Sequence, residues 1–175
     1  MRARALPAFE LPAALRSQGF ALRPETDDDV AFLIRLYAST REEELRRLLD
    51  WSADQKLAFL ASQFHAQRHH YRTYITGCVF DILEQDGVPA GRLYLDAQPT
   101  RLHIVDITLL PEWRGVGIGT AILEGLKAGG RRIGIFVEKF NPALNLYRRL
   151  GFTEVADHGV YLEMEWPGDG QPAIS

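Results

Sequence analysis

The stretch PEWRGVGIGTAIL, from Pro111 to Leu123, contains three glycines within five residues, and an apolar run with helical spacing follows them. A glycine in a helix interior costs about 1 kcal/mol relative to alanine, so this density at an element boundary needs a structural or a functional reason. The apolar run predicts a helix from Ile118 to about Ala128. The glycines Gly115, Gly117 and Gly119 therefore surround the predicted N-terminus of a helix.

The N-terminus of this predicted helix is suited to binding an anion. Its first backbone N–H groups have no partner within the helix, the helix dipole is positive there, and glycines let a phosphate approach the backbone closely. Arg114 would add a positive charge beside the loop, and Thr120 would add a hydroxyl group in the first turn. A tight turn with close packing of helix on strand explains the glycines equally well, so their surroundings must decide.

Apolar patterns on both sides of the loop predict one sheet with helices packed on it. LHIVDITLL (102–110) indicates a strand buried on both faces, and RIGIFV (132–137) indicates another, so the segment predicts a right-handed strand–helix–strand crossover. Asp86-Gly87 between two apolar runs indicates a hairpin. The remaining predicted elements are a strand at 20–23, helices at about 26–37, 52–70 and 143–150, and a C-terminal hairpin within 152–166.

Two other kinds of nucleotide-binding loop fit this segment poorly. A dinucleotide-binding fold has its glycines after the first strand of a repeated strand–helix series, whereas this loop comes late and one crossover helix follows it. A P-loop requires Gly-Lys-Ser or Gly-Lys-Thr, and neither follows these glycines.

Composition places the chain among compact globular domains. Its 175 residues are 46% hydrophobic, and the formal net charge of −3 argues against a nucleic-acid partner. The single cysteine, Cys78, excludes an internal disulfide and is expected to be a buried, unreactive strand residue. The apolar runs are too short to span a membrane, so we expect no membrane partner and a soluble, cytoplasmic protein. We expect a loosely ordered arm over 1–18, one domain over 19–166 and a flexible tail over 167–175.

Two segments resemble the signatures of the GNAT superfamily of acyl-CoA N-acyltransferases. LLPEWRGVGIGTAIL is similar to the pyrophosphate-binding signature, an Arg or Gln followed at fixed spacing by Gly-x-Gly, with Arg114, Gly117 and Gly119 in those positions. NPALNLYRRLGF is similar to the second signature, in which an Asn at a strand end precedes a helix that ends in Leu-Tyr, three residues and Gly-Phe. The matching residues there are Asn141, Tyr147, Gly151 and Phe152.

The second signature departs from the family pattern at one spacing. Many members have seven residues between the Asn and Tyr positions, whereas Asn141 and Tyr147 are six apart. The spacing from Tyr147 to Gly-Phe is intact. Asn141 has an alternative role as a helix cap with Pro142 at the first helical position, and periodicity alone fits Tyr147 equally well as a core aromatic.

The resemblance implies a fold and a cofactor. The fold would be a single α/β (α+β) domain with a mixed central sheet of about six to seven strands, about four flanking helices and a splayed parallel strand pair at the cofactor site. Acetyl-CoA (coenzyme A) would have its pantetheine arm in that gap and its pyrophosphate on the glycine loop. The residues implied to bind it are Thr108, Leu109, Leu110, Arg114, Gly115, Val116, Gly117, Ile118, Gly119, Thr120, Asn141 and Tyr147.

The same resemblance implies direct transfer of the acetyl group to a primary amine of a small molecule or peptide. An alkylamine with a pKa of about 10 must lose a proton to attack, and a thiolate leaves better when it is protonated. Tyr147 would protonate the thiolate. The candidate bases are Asp106, His103 and Glu138, and for each of them a satisfied buried polar group or a rim charge is the alternative.

Asp106 is the favoured base. It lies nearer than His103 to the predicted reacting carbonyl, and its two apolar neighbours are expected to increase its affinity for a proton. The two residues are three apart and would face opposite sides of a regular strand. A bulge of the kind that this family has there would change that parity.

Acceptor specificity is expected to come from the first two helices and their joint. The candidate residues are Tyr37, Arg41, Glu42, Glu44 and Trp51, although a solvated charged face has the same pattern. The histidine run HAQRHH (65–70) has no carboxylate motif beside it, so we predict no metal site.

Two other functions remain open at this point. The chain could sense acyl-CoA without turnover, or it could be a structural domain that binds a partner and uses its glycines only for packing. A homodimer is compatible with any of the three functions.

Overall fold

The computed structural model describes residues 8–170, which form one mixed sheet with helices on both faces. The strands are β1 (Phe20–Pro24), β2 (Cys78–Gln85), β3 (Val88–Ala97), β4 (Leu102–Leu109), β5 (Ile133–Glu138), β6 (Thr153–Asp157) and β7 (Tyr161–Trp166). The helices are α1 (Ala13–Arg16), α2 (Val30–Ser39), α3 (Glu42–Arg46), α4 (Ala53–Tyr74), α5 (Ile118–Lys127) and α6 (Leu144–Arg149).

The strand order is β1-β2-β3-β4-β5-β7-β6, with β4 and β5 parallel. This arrangement confirms the predicted mixed sheet and its strand–helix–strand crossover. The described residues contain six α-helices rather than about four, because α1 and α3 are single short turns that periodicity does not indicate. None of the helices between residues 8 and 170 is long and apolar enough to cross a membrane.

Two hydrophobic cores lie on opposite faces of the sheet. One includes Ile122 of α5 and Tyr147 of α6, and the other includes Leu36 of α2 and Phe64 of α4. We call these sides the α5 face and the α4 face. Successive strand residues point to opposite faces, which is why the central strands are apolar along most of their length.

The parallel strands β4 and β5 separate after a short ladder. Their pairing comprises three residue pairs and ends at Ile104 opposite Ile135. β4 continues to Leu109 and β5 to Glu138 without further pairing with each other. This leaves an opening between them that we call the β4–β5 gap. The splayed parallel pair implied by the resemblance is therefore confirmed.

A bulge in β4 decides which side chains face the gap from the α4 side. The neighbouring strand β3 pairs with Ile104 and then, at its next residue, with Asp106, so Val105 is an extra residue. One extra residue resets the alternation of side chains along a strand. His103 and Asp106 therefore both lie on the α4 face, although they are three positions apart.

The described part of the predicted N-terminal arm packs on the α5 face. Leu11 and Leu15 are each 4% exposed, and a Cβ added to Gly125 of α5 would come 2.8 Å from the Pro12 ring. The apolar side chains of residues 8–18 thus find partners on a helix distant in sequence, and the bounds of the arm, the domain and the tail stay predictions. Residues 1–7 of that arm and 171–175 of the predicted tail lie outside the described residues.

Candidate active site

The glycine loop joins β4 to α5, and its backbone requires glycine at two positions. Gly115 has a φ of +73°, and Gly117, the N-cap residue of α5, has a φ of +89°. Both values lie in the left-handed region that other residues rarely adopt. A Cβ built on either residue would meet no atom within 4 Å, so the space beside the loop is open to a ligand.

Gly119 indicates a ligand site more directly, because its backbone does not require glycine. The nearest atom that an added Cβ would meet is Cδ2 of Leu146, at 3.9 Å, which is an ordinary contact. Close packing of helix on strand therefore does not explain this glycine. The backbone N–H groups of Ile118, Gly119 and Thr120 have no backbone acceptor within residues 8–170, so they form a cradle suited to a phosphate.

Arg114 lies beside this cradle and holds the loop in place. Its Nε donates to the carbonyl of Leu109 at 2.8 Å, and its Nη2 donates to Oγ of Ser39 at 3.0 Å. These bonds fasten the loop to the end of β4 and to the last residue of α2. The side chain thus positions the backbone in addition to placing a positive charge near the loop.

Backbone groups at the end of β4 line the β4–β5 gap. The N–H of Leu110 donates to the carbonyl of Ala90 in β3 at 2.9 Å. Because amide directions alternate along a strand, the N–H of Thr108 points the same way, and that of Leu109 points into the gap. Of the three residues predicted to offer backbone partners, Leu109 is the one placed to donate to a ligand.

Tyr147 approaches the gap from the α5 face. The residue is 5% exposed, and its ring packs edge to face on Phe152 with centroids 5.7 Å apart. Burial raises the pKa of its phenol, and the negative charge of Asp106 raises that pKa further. Tyr147 therefore keeps its proton at neutral pH, which is the state required of a proton donor.

Asn141 forms a side-chain turn just before α6, whose N-cap residue is Ala143. The side-chain carbonyl of Asn141 accepts from the N–H of Ala143 at 2.9 Å. The alternative of a helix cap with Pro142 at the first helical position is therefore wrong, because the helix begins two residues later, at Leu144. The bond to Ala143 does not test a role in cofactor binding, because the side-chain amide group is not used in it.

Asp106 lies beside the gap in a charged setting. Its Oδ2 accepts from Nη2 of Arg92 at 2.8 Å, and its Oδ1 accepts from the hydroxyl of Thr108 at 2.5 Å. The same Arg92 nitrogen donates to Oε1 of Gln67 in α4 at 3.0 Å. The expected apolar surroundings are therefore wrong, because flanking residues in a strand point away from the face on which Asp106 lies.

His103 lies on the same face as Asp106, near the start of β4. It is 9% exposed, and its ring packs edge to face on Phe136 with centroids 5.4 Å apart. Burial lowers the pKa of His103, and the positive charge of Arg101 lowers it further, so the imidazole is neutral at neutral pH. Its position before the bulge separates it from the glycine loop by the remaining length of β4.

Glu138 ends β5 at the open side of the gap and links it to α2. Nη1 of Arg41 donates to Oε1 of Glu138 at 3.3 Å, and its guanidinium lies over the Tyr37 ring, 5.4 Å from the centroid. Tyr161 of β7 pairs with Glu138 across the sheet, and burial together with that carboxylate raises the pKa of its phenol. The connection between α2 and α3, which contains Arg41, is thereby held beside the gap.

An apolar groove of about 350 Å³ lies between α3 and the first turns of α4. We call it the α3–α4 groove. It is lined by Arg41, Glu44, Leu45, Leu48, Trp51, Phe59, Leu60 and Gln63. Three of the predicted acceptor residues, Arg41, Glu44 and Trp51, thus meet here.

The two other predicted acceptor residues do not line this groove. Tyr37 is 7% exposed and donates to Oε1 of Gln63 at 3.4 Å, behind the groove wall. Glu42 points to solvent and pairs with Arg46 at 3.5 Å, as in an ordinary exposed helix.

Other reactive side chains are not gathered into a site. Within residues 8–170 no group of three or more His, Cys, Asp or Glu residues could hold a metal ion, and His65, His69 and His70 line no such group. Cys78 is half-buried, and burial raises the pKa of its thiol to about 12.

Arg92, Gln67 and Ser39 are site residues that sequence reasoning missed. Arg92 stands within the apolar run AGRLYL, where a cation must find a partner if the strand is buried. That conflict was a usable signal. Gln67 and Ser39 have no such signal, because their roles depend on contacts with residues distant in sequence.

Comparison with known proteins identifies relatives along the chain. The model of the acetyltransferase (GNAT) family matches residues 32–152. An N-alpha-acetyltransferase of Sulfurisphaera tokodaii is 37% identical over 60 residues, which is 30% of this chain and 36% of that protein, so the match spans about a third of the relative.

Solved structures of this family share the fold. The PaiA N-acetyltransferase of Thermoplasma acidophilum, in complex with coenzyme A, superposes with a TM-score of 0.61 at 16% identity, covering 83% of this chain and 97% of that one. RimL, a ribosomal L7/L12 alpha-N-protein acetyltransferase in complex with coenzyme A, gives a TM-score of 0.58 at 19% identity, covering 93% and 99%. With the family match over most of its length, the chain belongs to the GNAT family of acetyltransferases.

Proposed function

We propose that the protein transfers an acetyl group from acetyl-CoA to a primary amine of a small molecule or peptide. The observation that carries this proposal is the open cradle at the start of α5, next to a gap in the sheet with a carboxylate on one side and a buried phenol on the other. Two solved relatives are described as complexes with coenzyme A, which supports the choice of donor.

The residues present fit coenzyme A. The free N–H groups of Ile118, Gly119 and Thr120 would bind its pyrophosphate, and the missing side chains of Gly115 and Gly117 leave room for it. The backbone of Leu109 would pair with the pantetheine arm in the gap. Bound acetyl-CoA supplies an acetyl group activated as a thioester.

A backbone N–H group on the gap side of β4 would stabilise the negative charge that develops on the thioester oxygen. The amides of Ile107 and Leu109 point there by strand alternation, and because the Leu109 N–H would bind the pantetheine arm, the Ile107 N–H is the donor left for this oxygen. Preorganised donors of this kind commonly make the largest contribution to acyl-transfer catalysis. Direct attack by the amine then needs no covalent enzyme intermediate.

Proton transfer would be divided between the two faces of the sheet. Tyr147 would donate a proton to the departing thiolate from the α5 face, since its raised pKa keeps the phenol protonated. Asp106 would receive the amine proton on the α4 face, where Arg92 and Thr108 hold its carboxylate and each oxygen keeps a free lone pair. Glu138 and His103 are the remaining candidates for this second role.

An acceptor panel with acetyl-CoA, followed by thiol release, tests the proposed function. The wild-type protein should release coenzyme A only when an amine is present. Binding of acetyl-CoA without release for any amine would favour a sensor, and absence of binding would favour a structural domain. The cytoplasmic location and the homodimer stay predictions.

A further inference from the structure

The α3–α4 groove has an aromatic wall that the described residues leave uncovered. Trp51 is 40% exposed and Phe59 is 38% exposed, and their rings pack edge to face with centroids 5.4 Å apart. Leu45 and Leu48 extend the apolar surface. A volume of about 350 Å³ lies within the range of small-ligand pockets, so the groove can take an aromatic or branched aliphatic group.

Polar side chains connect the groove to residues at the β4–β5 gap. Arg41 lines the groove and reaches Glu138 at the open side of the gap. Gln63 also lines the groove, and Gln67, one helical turn further along α4, contacts the Arg92 that binds Asp106. A ligand held in the groove would therefore extend towards Glu138 and Asp106, two of the three candidate bases.

Two carboxylates and one cation lie at the inner end of the groove. Nη1 of Arg41 donates to Glu44 at 3.0 Å and to Glu138 at 3.3 Å, so two carboxylates already face one cation. A third carboxylate would meet net negative charge, whereas an ammonium group would be attracted. Nη2 of Arg41 donates to no group within residues 8–170, so it can donate a hydrogen bond to a neutral carbonyl of a ligand.

We infer that the acceptor is an α-amine that carries a bulky apolar side chain and is followed by a neutral carbonyl, as at the N-terminus of a peptide. The side chain occupies the α3–α4 groove, the carbonyl accepts from Arg41, and the amine lies at the gap. This inference rests on the proposed acetyl transfer, and it adds a substrate class to it.

The test compares phenylalaninamide with three other acceptors, each of which differs from it in one feature. Phenylalaninamide has all three features, alaninamide lacks the bulky side chain, phenethylamine lacks the carbonyl, and free phenylalanine carries a carboxylate. We expect kcat/KM for phenylalaninamide to exceed that for each of the others about tenfold or more, as apolar pockets discriminate to this extent. Equal values for alaninamide and phenylalaninamide would overturn the assignment of the groove.

Two variants with a matched control locate the effect. Trp51→Ala should remove most of the preference for phenylalaninamide over alaninamide, whereas Leu49→Ala, an adjacent side chain that is 86% exposed and does not line the groove, should retain it. Arg41→Met should remove most of the preference for phenylalaninamide over phenethylamine. A preference that persists unchanged in Trp51→Ala would show that the groove does not bind the acceptor.

Binding measurements separate this inference from the proposed function. Calorimetry with acetyl-CoA alone tests the donor site. Calorimetry with phenylalaninamide in the presence of coenzyme A tests the groove, and binding that weakens about tenfold in Trp51→Ala supports the inference even if turnover is absent. Donor binding without any phenylalaninamide binding would overturn the acceptor class and leave the donor site intact.

Discussion

Nη2 of Arg92 lies 2.8 Å from Oδ2 of Asp106, and the Arg92 side chain is only 4% exposed. The buried Arg92 guanidinium and the Asp106 carboxylate at the gap therefore form an ion pair. We expect Arg92→Met to destabilise the protein by about 3–5 kcal/mol, because it leaves a largely buried carboxylate without its cation. Urea unfolding measures this change.

The double variant Arg92→Met with Asp106→Asn is the control for that experiment. It removes both charges, so it should recover part of the stability lost in the single variant. Equal losses in the single and the double variant would show that the packing of the Arg92 stem, rather than the ion pair, is what matters.

Gly117→Asp should abolish measurable binding of acetyl-CoA. A carboxylate would occupy the open space beside the cradle and repel a pyrophosphate. The left-handed backbone also strains any side chain there, so Gly87→Asp, at a φ of +82° with equally open space in a hairpin, is the matched control. Calorimetry together with thermal unfolding separates the two effects, and full affinity in folded Gly117→Asp would contradict the cradle.

Tyr147→Phe should lower turnover about 10²-fold while affinity for acetyl-CoA stays the same. Phenylalanine keeps the ring that packs on Phe152 but has no proton to give. Tyr74→Phe, at a residue that is 72% exposed, should have no effect. If Tyr147→Phe retains full turnover under conditions in which chemistry limits the rate, the proton comes from another group.

The identity of the base can be tested by pH–rate profiles of Asp106→Asn, His103→Gln and Glu138→Gln. We expect a loss of about 10²-fold in Asp106→Asn alone, measured well below its melting temperature. Loss of the acidic limb of the profile only in His103→Gln would assign the role to the imidazole instead.

His103 should also make stability depend on pH. Its folded-state pKa is lowered by burial and by Arg101, so the unfolded chain binds the proton more readily. Stability is then fully present above the unfolded pKa of about 6.5 and falls as the pH drops below it. Urea unfolding between pH 7.5 and 5.5 should show a shallower decline in His103→Gln than in the wild type, whereas the exposed His69→Gln should follow the wild type.

Local pattern was sufficient to predict the crossover unit and the glycine loop at the start of α5. The glycines at 115 and 117 could be placed at a helix N-terminus because both the apolar period and the need for unusual backbone are visible in neighbouring residues. The bulge at Val105 was expected only from the family resemblance. Nothing in the order of apolar residues along β4 marks it.

The rest of the fold and of the site depends on partners that are distant in sequence. The apolar residues Leu11 and Leu15 lie in a segment without clear periodicity, and their burial follows from the surface that α5 presents. The charged setting of Asp106 follows from Arg92, 14 positions away in the chain. The residues that flank Asp106 face the other side of the strand, so they do not indicate that Arg92 is its partner.

The extra residue at Val105 shifts the alternation of side chains along β4 by one position. Before it, His103 belongs to one series of alternating positions; after it, Asp106 and Thr108 continue on that same side in the shifted series. A deletion at this position would move the side chains of one half of the strand to the opposite face of the sheet and would carry Asp106 away from Arg92. When relatives are aligned, the placement of a single gap at Val105 therefore decides which residue of each protein is compared with Asp106.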